Sequence, residues 1–469
     1  MMTTGNRSFA RPIALAEGRA PSPPRAPRAA DRAAPAKRGR QAAVAVFVLF
    51  VMLAGSLSAA AELIAAPESG WPQFRGPRRD GISDERGLLP TWPEGGPKLL
   101  WSAKGAGRGF SSTIISGDRL YVTGDFDEET RILAFDLAGK PLWSVRNGDA
   151  WLNQHPGARA SVTFSAGRLY HLNAHGRLVC LDAATGREHW SAEILKQFRG
   201  ENITWGLSEC LVVDERHVYA TAGGRDALLT AFDKLTGELR WRSAPLPALG
   251  GAAGAVDGPS YTPPILVGFA GRRLFVGCTT TQLFCVDLET GRLQWTRPRP
   301  TSYGVLAMSP ALVGTGIFHA APYGAPAALH RLVTPAQPGA SVGVADAWTA
   351  PADTLQGSVV AADGRIYGSY YTRRAGWFAL DAATGAELYK LEGHAKGAPL
   401  HADGRLYAYC EDGWMLLLRP TEKEFEVRGR FRHAAARDHD AWAHPVIHQG
   451  RLYLRYHDTV SCYDIRGAR

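Results

Sequence analysis

Sustained helical periodicity is missing from this 469-residue sequence beyond about residue 70, which excludes helical bundles and coiled coils. Cysteine is scarce: Cys180, Cys210, Cys278, Cys285, Cys410 and Cys462 include no adjacent pair and no C-x-x-C-H motif, so covalent haem attachment is excluded. An excess of positive charge is missing from the body of the chain. Of the formal net charge of +9, most belongs to residues 1–40, where nine Arg and Lys face only Glu17 and Asp31. A nucleic-acid reader needs its basic residues on the folded part, so that class is set aside. Long apolar runs are also rare; the main one is the uncharged stretch from Gln41 to Ala61, centred on AAVAVFVLFVML.

A basic flank, a short apolar segment and a small-residue end make up an export signal, with Ser58-Ala59-Ala60 as the cleavage neighbourhood. The same residues are long enough to span a bilayer with the Arg-rich side in the cytoplasm. Either way the body is expected outside the cytoplasm, periplasmic or secreted, with an inner-membrane anchor in the second case. No Cys follows the apolar run, so a lipid-modified N-terminus is not supported. The expected organisation is a basic segment (1–40), a signal or anchor (41–61), a linker and N-terminal extension (62–96) and a folded body (97–469).

What the body does contain is short alternating apolar segments punctuated by Gly, Asp and Asn, an all-β signature. Segments of the form Gly-Arg-Leu-Tyr recur, with aromatic landmarks at Tyr121, Tyr170, Tyr219, Phe275, Phe318, Tyr367, Tyr407 and Tyr453. Their spacing averages about 47 residues, which predicts eight four-stranded blades. About a dozen residues later comes a second landmark, D-x-x-T-G-x-x-x-aromatic: Asp182, Gly186 and Trp190; Asp233, Gly237 and Trp241; Asp287, Gly291 and Trp295; Asp381, Gly385 and Tyr389. The Asp carboxylate can accept hydrogen bonds across the turn, Gly supplies positive φ, and the aromatic is placed to pack on the next blade. Copy one is shortened to Asp136, Gly139 and Trp143, and copies five and seven lack the Asp and Gly.

The chain ends predict how the array closes. The last copy stops at Tyr463-Asp464-Ile465-Arg466, where an outer strand is due, whereas Pro97-Lys98-Leu99-Leu100-Trp101 is an outer strand without a preceding hairpin. Pairing the two completes an eighth blade and removes an open sheet edge. The fold expected is an all-β, eight-bladed β-propeller.

The D-x-x-T-G-x-x-x-W repeat resembles the tryptophan-docking repeat of pyrroloquinoline-quinone (PQQ)-type eight-bladed propellers. It is similar above all to a group of exported bacterial PQQ-like repeat proteins of unknown activity. The resemblance is carried by Trp71-Pro72-Gln73-Phe74-Arg75-Gly76-Pro77 with Asp80-Gly81, by Trp92-Pro93 to Trp101, by Trp205 to Glu209, and by Trp442-Ala443-His444-Pro445 through Asp464. Where that group continues with Ser-Pro after the Glu, this chain has Cys210-Leu211. For catalytic quinoproteins the resemblance implies adjacent cysteines over the cofactor, a haem motif in some and a longer chain, none of which is present. No catalytic residue, cofactor or metal is therefore expected; PQQ with Ca²⁺ belongs only to an alternative dehydrogenase reading.

Loops leading into the innermost strands form one rim of a propeller channel. They supply the candidate ligand-binding residues Phe110, Ser111, Trp205, Glu209, Tyr261, Met308, Ser309, Gln356, His439, Trp442 and His444. Glu209 stands out as a carboxylate where other copies carry mostly small residues; it either contacts a ligand or ion or makes a structural bond. Cys180, Cys285 and Cys462 occupy a position held by Ala in other copies, a buried small-residue site, and Cys278 with Cys285 is the one pair placed for a disulfide. The late histidines (His433, His439, His444, His448, His457) read as strand-end residues, Gly339 to Gly343 lacks the strand-turn-helix context of a nucleophile elbow, and Gly105 to Gly109 reads as a connection. The function expected is a monomeric, non-catalytic binding or assembly platform for a protein, an extracellular glycan or a small ligand. An outer-membrane protein assembly propeller is a further alternative.

Overall fold

The computed structural model describes residues 59–371, 376–434 and 440–467. Residues 1–58, which hold the basic segment and most of the signal or anchor, lie outside them, as does His439. Eight antiparallel sheets make up the body. Blade 1 shows the plan: Ile114–Ser116 innermost, then Arg119–Phe126, Glu129–Asp136 and Pro141–Asp149 outermost. Blades 2 to 7 follow at 163–193, 212–242, 265–298, 311–350, 359–391 and 397–432. The longest helix described is one turn, Ile194–Gln197, and no helix among the described residues is long and apolar enough to cross a membrane.

Blade 8 joins the two ends of the body. Val446–His448, Arg451–Tyr456 and Thr459–Asp464 are completed by Lys98–Lys104, which pairs antiparallel with the last strand from Lys98 opposite Asp464 to Lys104 opposite Thr459. The ring is therefore closed by hydrogen bonds between the earliest and latest strands of the propeller. Arg455 adds a second clasp, its fully buried guanidinium donating to the carbonyls of His457 (2.8 Å), Thr123 (2.6 Å), Ser111 (3.2 Å), Ala106 (3.2 Å) and Gly107 (3.1 Å).

The turn motif works as its chemistry predicts. Asp182 Oδ1 accepts from the Ala184 and Thr185 N–H groups (3.1 and 2.8 Å) and from Thr185 Oγ1 (2.7 Å), and Asp381 repeats this pattern. Gly237 combines a φ of 77° with close approach: a Cβ there would stand 2.6 Å from the Trp190 ring of the preceding blade. Trp143 lies on Gly186, Trp241 on Gly291 and Trp348 on Gly385 in the same way, so each indole docks on the next blade's turn. The landmark aromatics, from Tyr121 to Tyr453, lie on second strands and are buried between blades. All six cysteines are buried and free; Cys278 pairs with Leu283 and Cys285 with Val276, so the expected candidate pair is not bridged.

Ala61, the last residue of the expected signal or anchor, and residues 62–83 of the expected linker and extension lie against the inner strands. Ala61–Leu63 pairs antiparallel with the first strand of blade 4, and Ile82–Ser83 runs parallel to that of blade 7. Between them Trp71 bridges Ile115 of blade 1, the Pro72 carbonyl accepts from Phe164 N–H of blade 2, and buried Arg79 donates to the carbonyls of Cys210 (2.5 Å), Leu211 (3.1 Å) and Pro264 (2.7 Å). Arg75, also buried, donates to the carbonyl of Val359 on blade 6. Bonds to opposite walls of the ring by so short a segment require it to cross the channel. It forms a plug.

Candidate functional site

On the plug, Phe74 faces a cavity of about 380 Å³ bounded by the loops that lead into the innermost strands of all eight blades. Phe110, Trp205, Tyr261, Gln356, Trp442 and His444, named from the sequence, all line it. Their rings are arranged in an arc: Phe110 against Trp442 (4.7 Å between centroids), Trp442 against His155 (5.1 Å), and Trp205 against Tyr261 (5.7 Å). Hydrogen bonds hold Trp442, Trp205 and Tyr261 in place. The Trp442 indole N–H donates to Glu411 Oε2 (3.3 Å), that of Trp205 to Gln154 Oε1 (3.0 Å), and the Trp205 backbone N–H to the Tyr261 hydroxyl (3.2 Å).

Polar groups interrupt this aromatic wall at defined places. Gln356 Oε1 is buried and has no hydrogen-bond partner, a costly state that a ligand donor would relieve. His444 Nε2–H donates to the Gln356 carbonyl (2.9 Å), and burial holds its pKa down to about 3, so it is neutral. Arg159 donates to the Gly157 carbonyl (2.6 Å) with its guanidinium 6.0 Å from the centroid of Phe110, and burial lowers its pKa to about 10. Lys396 is ion-paired with Glu411 and lies 5.1 Å from the Tyr371 ring centroid.

Ser111, Glu209, Met308 and Ser309 do not line the cavity; they lie behind it. Ser111 Oγ accepts from Thr123 N–H (3.1 Å), and the Glu209 carboxylate accepts from Thr221 N–H (3.2 Å) twelve residues on, the same service in another blade. Burial pushes the Glu209 pKa up to about 7, opposed by the Thr221 bonds and the charge of Arg79. Met308 Sδ faces Ala320 N–H (3.2 Å), and Ser309 N–H donates to Ser358 Oγ (3.1 Å) across blades. The repeat position of Glu209 is thus an acceptor for the neighbouring strand.

His155, Arg159, Tyr323, Tyr371, Lys396 and Glu411 also line the cavity and were not singled out in the sequence. Tyr323, Tyr371 and Glu411 follow second strands, and the loops between second and third strands open on the same face. Their position just after each Gly-Arg-Leu-Tyr segment is a signal by which they could have been found.

Among the described residues this wall offers no ligand set for the calcium ion of the quinone reading. Glu411 is engaged by Lys396 and Trp442, Asp440 is the other described carboxylate lining the cavity, and no three described His, Cys, Asp or Glu side chains converge as a metal-ligand set.

Fold and cavity together define a PQQ-type eight-bladed β-propeller with one plugged mouth. The sequence profile of the PQQ-like family described as outer membrane protein assembly factor BamB matches residues 128–302 and 340–422, and the chain belongs to that family. No curated protein matches it. Among solved structures it is similar to the quinohemoprotein alcohol dehydrogenase of Comamonas testosteroni (14% identity, TM-score 0.60, covering 85% of this chain and 81% of that one). It is also similar to BamB from Moraxella catarrhalis (13% identity, TM-score 0.51, covering 79% and 98%). At these identities the likeness concerns the fold.

Proposed function

We propose that the protein is a non-catalytic, extracytoplasmic binding platform whose plugged cavity takes a saccharide ring. The observation that carries this reading is the unpartnered Gln356 amide oxygen within an aromatic-walled cavity. Sugar rings present apolar C–H faces suited to Trp442, Phe110 and Trp205, while their hydroxyl groups donate to an acceptor such as Gln356. The plug supports the reading because Phe74 closes the cavity from below, making a pocket from what would otherwise be a through-channel. The export signal or anchor read in residues 41–61 supports a location outside the cytoplasm.

A thermal-shift screen of the purified protein against neutral and acidic saccharides tests the reading. A binding saccharide at about a hundred times its Kd is expected to raise the melting temperature by a few degrees. Trp442→Ala and Gln356→Ala are expected to abolish that shift. No response to any saccharide contradicts the reading. A response to PQQ with Ca²⁺ instead favours a dehydrogenase like the structural relative, and specific co-purification with an outer-membrane insertase favours the assembly role named by the family profile.

A further inference from the structure

Beneath the plug lies a second, smaller pocket of about 60 Å³, separate from the aromatic cavity and bounded by Arg75, Arg79 and Asp80 on the plug. The rest of its wall is apolar: Leu63, Ile82, Ile265, Pro310, Ala311, Leu312 and Ala361. Both guanidiniums are buried, and their donors are incompletely used. Arg79 fills Nε and Nη1 with Pro264, Gln73 and Leu211 but gives only one bond from Nη2, to Cys210. Arg75 donates from Nε to the Arg79 carbonyl (3.3 Å) and from Nη2 to the Asp80 and Val359 carbonyls, while its buried Nη1 has no partner.

Their positive charge is only partly balanced: the buried Glu209 carboxylate interacts with Arg79, but burial raises its pKa to about 7 and it accepts from Thr221 N–H. Asp80 is held by Arg78 (2.8 Å), and its other oxygen accepts from Ile82 N–H (2.9 Å). A buried cation surrounded by carbonyl oxygens and apolar side chains favours a counter-ion. An apolar wall selects ions that lose little hydration, which disfavours sulfate and phosphate.

We propose that this pocket binds a small, weakly hydrated inorganic anion of halide or nitrate type through the free N–H groups of Arg75 and Arg79. The anion locks the plug to the inner strands of blades 4, 5 and 6, independently of any ligand in the aromatic cavity. Crystals of the protein grown in sodium bromide are expected to show an anomalous peak within hydrogen-bonding distance of Arg75 Nη1. In solution, melting is expected to be about 2 °C higher in chloride than in gluconate at equal ionic strength. Arg75→Met is expected to abolish both effects. Should that variant fail to fold, the bromide map of the unsubstituted protein decides. Bromide confined to the surface, an ordered water in the pocket, or equal melting in the two salts overturns the proposal.

Discussion

Removal of residues 59–104 is expected to abolish cooperative thermal unfolding of the propeller. Two kinds of contact are lost together. Without Lys98–Lys104, the strand Thr459–Asp464 becomes an open edge, an invitation to intermolecular pairing. Without the plug, the inner strands of five blades and the loop entering blade 3 lose their partners, and the propeller surfaces that Trp71, Phe74 and Trp92 cover become exposed. Trp101, which docks on Gly139 and donates its indole N–H to the Leu137 carbonyl (3.0 Å), goes with the strand. Calorimetry and size-exclusion chromatography are expected to show aggregation and no sharp transition. A truncated monomer melting cooperatively within about 3 °C of the full protein contradicts this account.

Arg455→Met is expected to cost about 3–5 kcal/mol in equilibrium denaturation, because a buried polar group left without its partner costs about 1–3 kcal/mol and several carbonyl oxygens lose theirs together. The guanidinium satisfies five carbonyl oxygens from the junction of blades 8 and 1, and burial already lowers its pKa to about 9. Methionine fills similar space but donates nothing, so these oxygens are left without their shared donor. Arg455→Lys is expected to recover little, because an ammonium cannot reproduce the planar fork. A loss below about 1 kcal/mol contradicts the role of this clasp.

The propeller was legible in the sequence because its determinants are local and repeated. Asp182, Thr185 and Gly186 fix a turn among themselves, and Trp190 docks at a constant offset on the next copy's Gly237. Closure could be read as well, since an unpaired outer strand at Lys98 complements a missing one after Asp464. The plug was not legible. Trp71 to Asp80 has neither periodicity nor turn symmetry, and its position is set by arginine bonds to carbonyls more than a hundred residues away.

Side-chain direction within the rim loops was only partly legible. Phe110 faces the cavity while the adjacent Ser111 turns into the wall, and Ser208 faces it while Glu209 does not, as alternation along an extended segment requires. The repeat identified the right loops without fixing that parity. Tyr323, Tyr371 and Glu411 escaped because they lie on the other set of loops opening on the same face.

The closure claim is tested most directly by a cross-link between the first and last strands of the propeller. Ser102 and Ser461 are opposite each other in register, their hydroxyl oxygens 3.1 Å apart, and the six native thiols are buried. In a Ser102→Cys, Ser461→Cys double variant, mild oxidation of the folded protein is predicted to form one disulfide, leaving no titratable thiol without denaturant and raising the melting temperature. Two introduced thiols that stay reactive after oxidation contradict a closed ring.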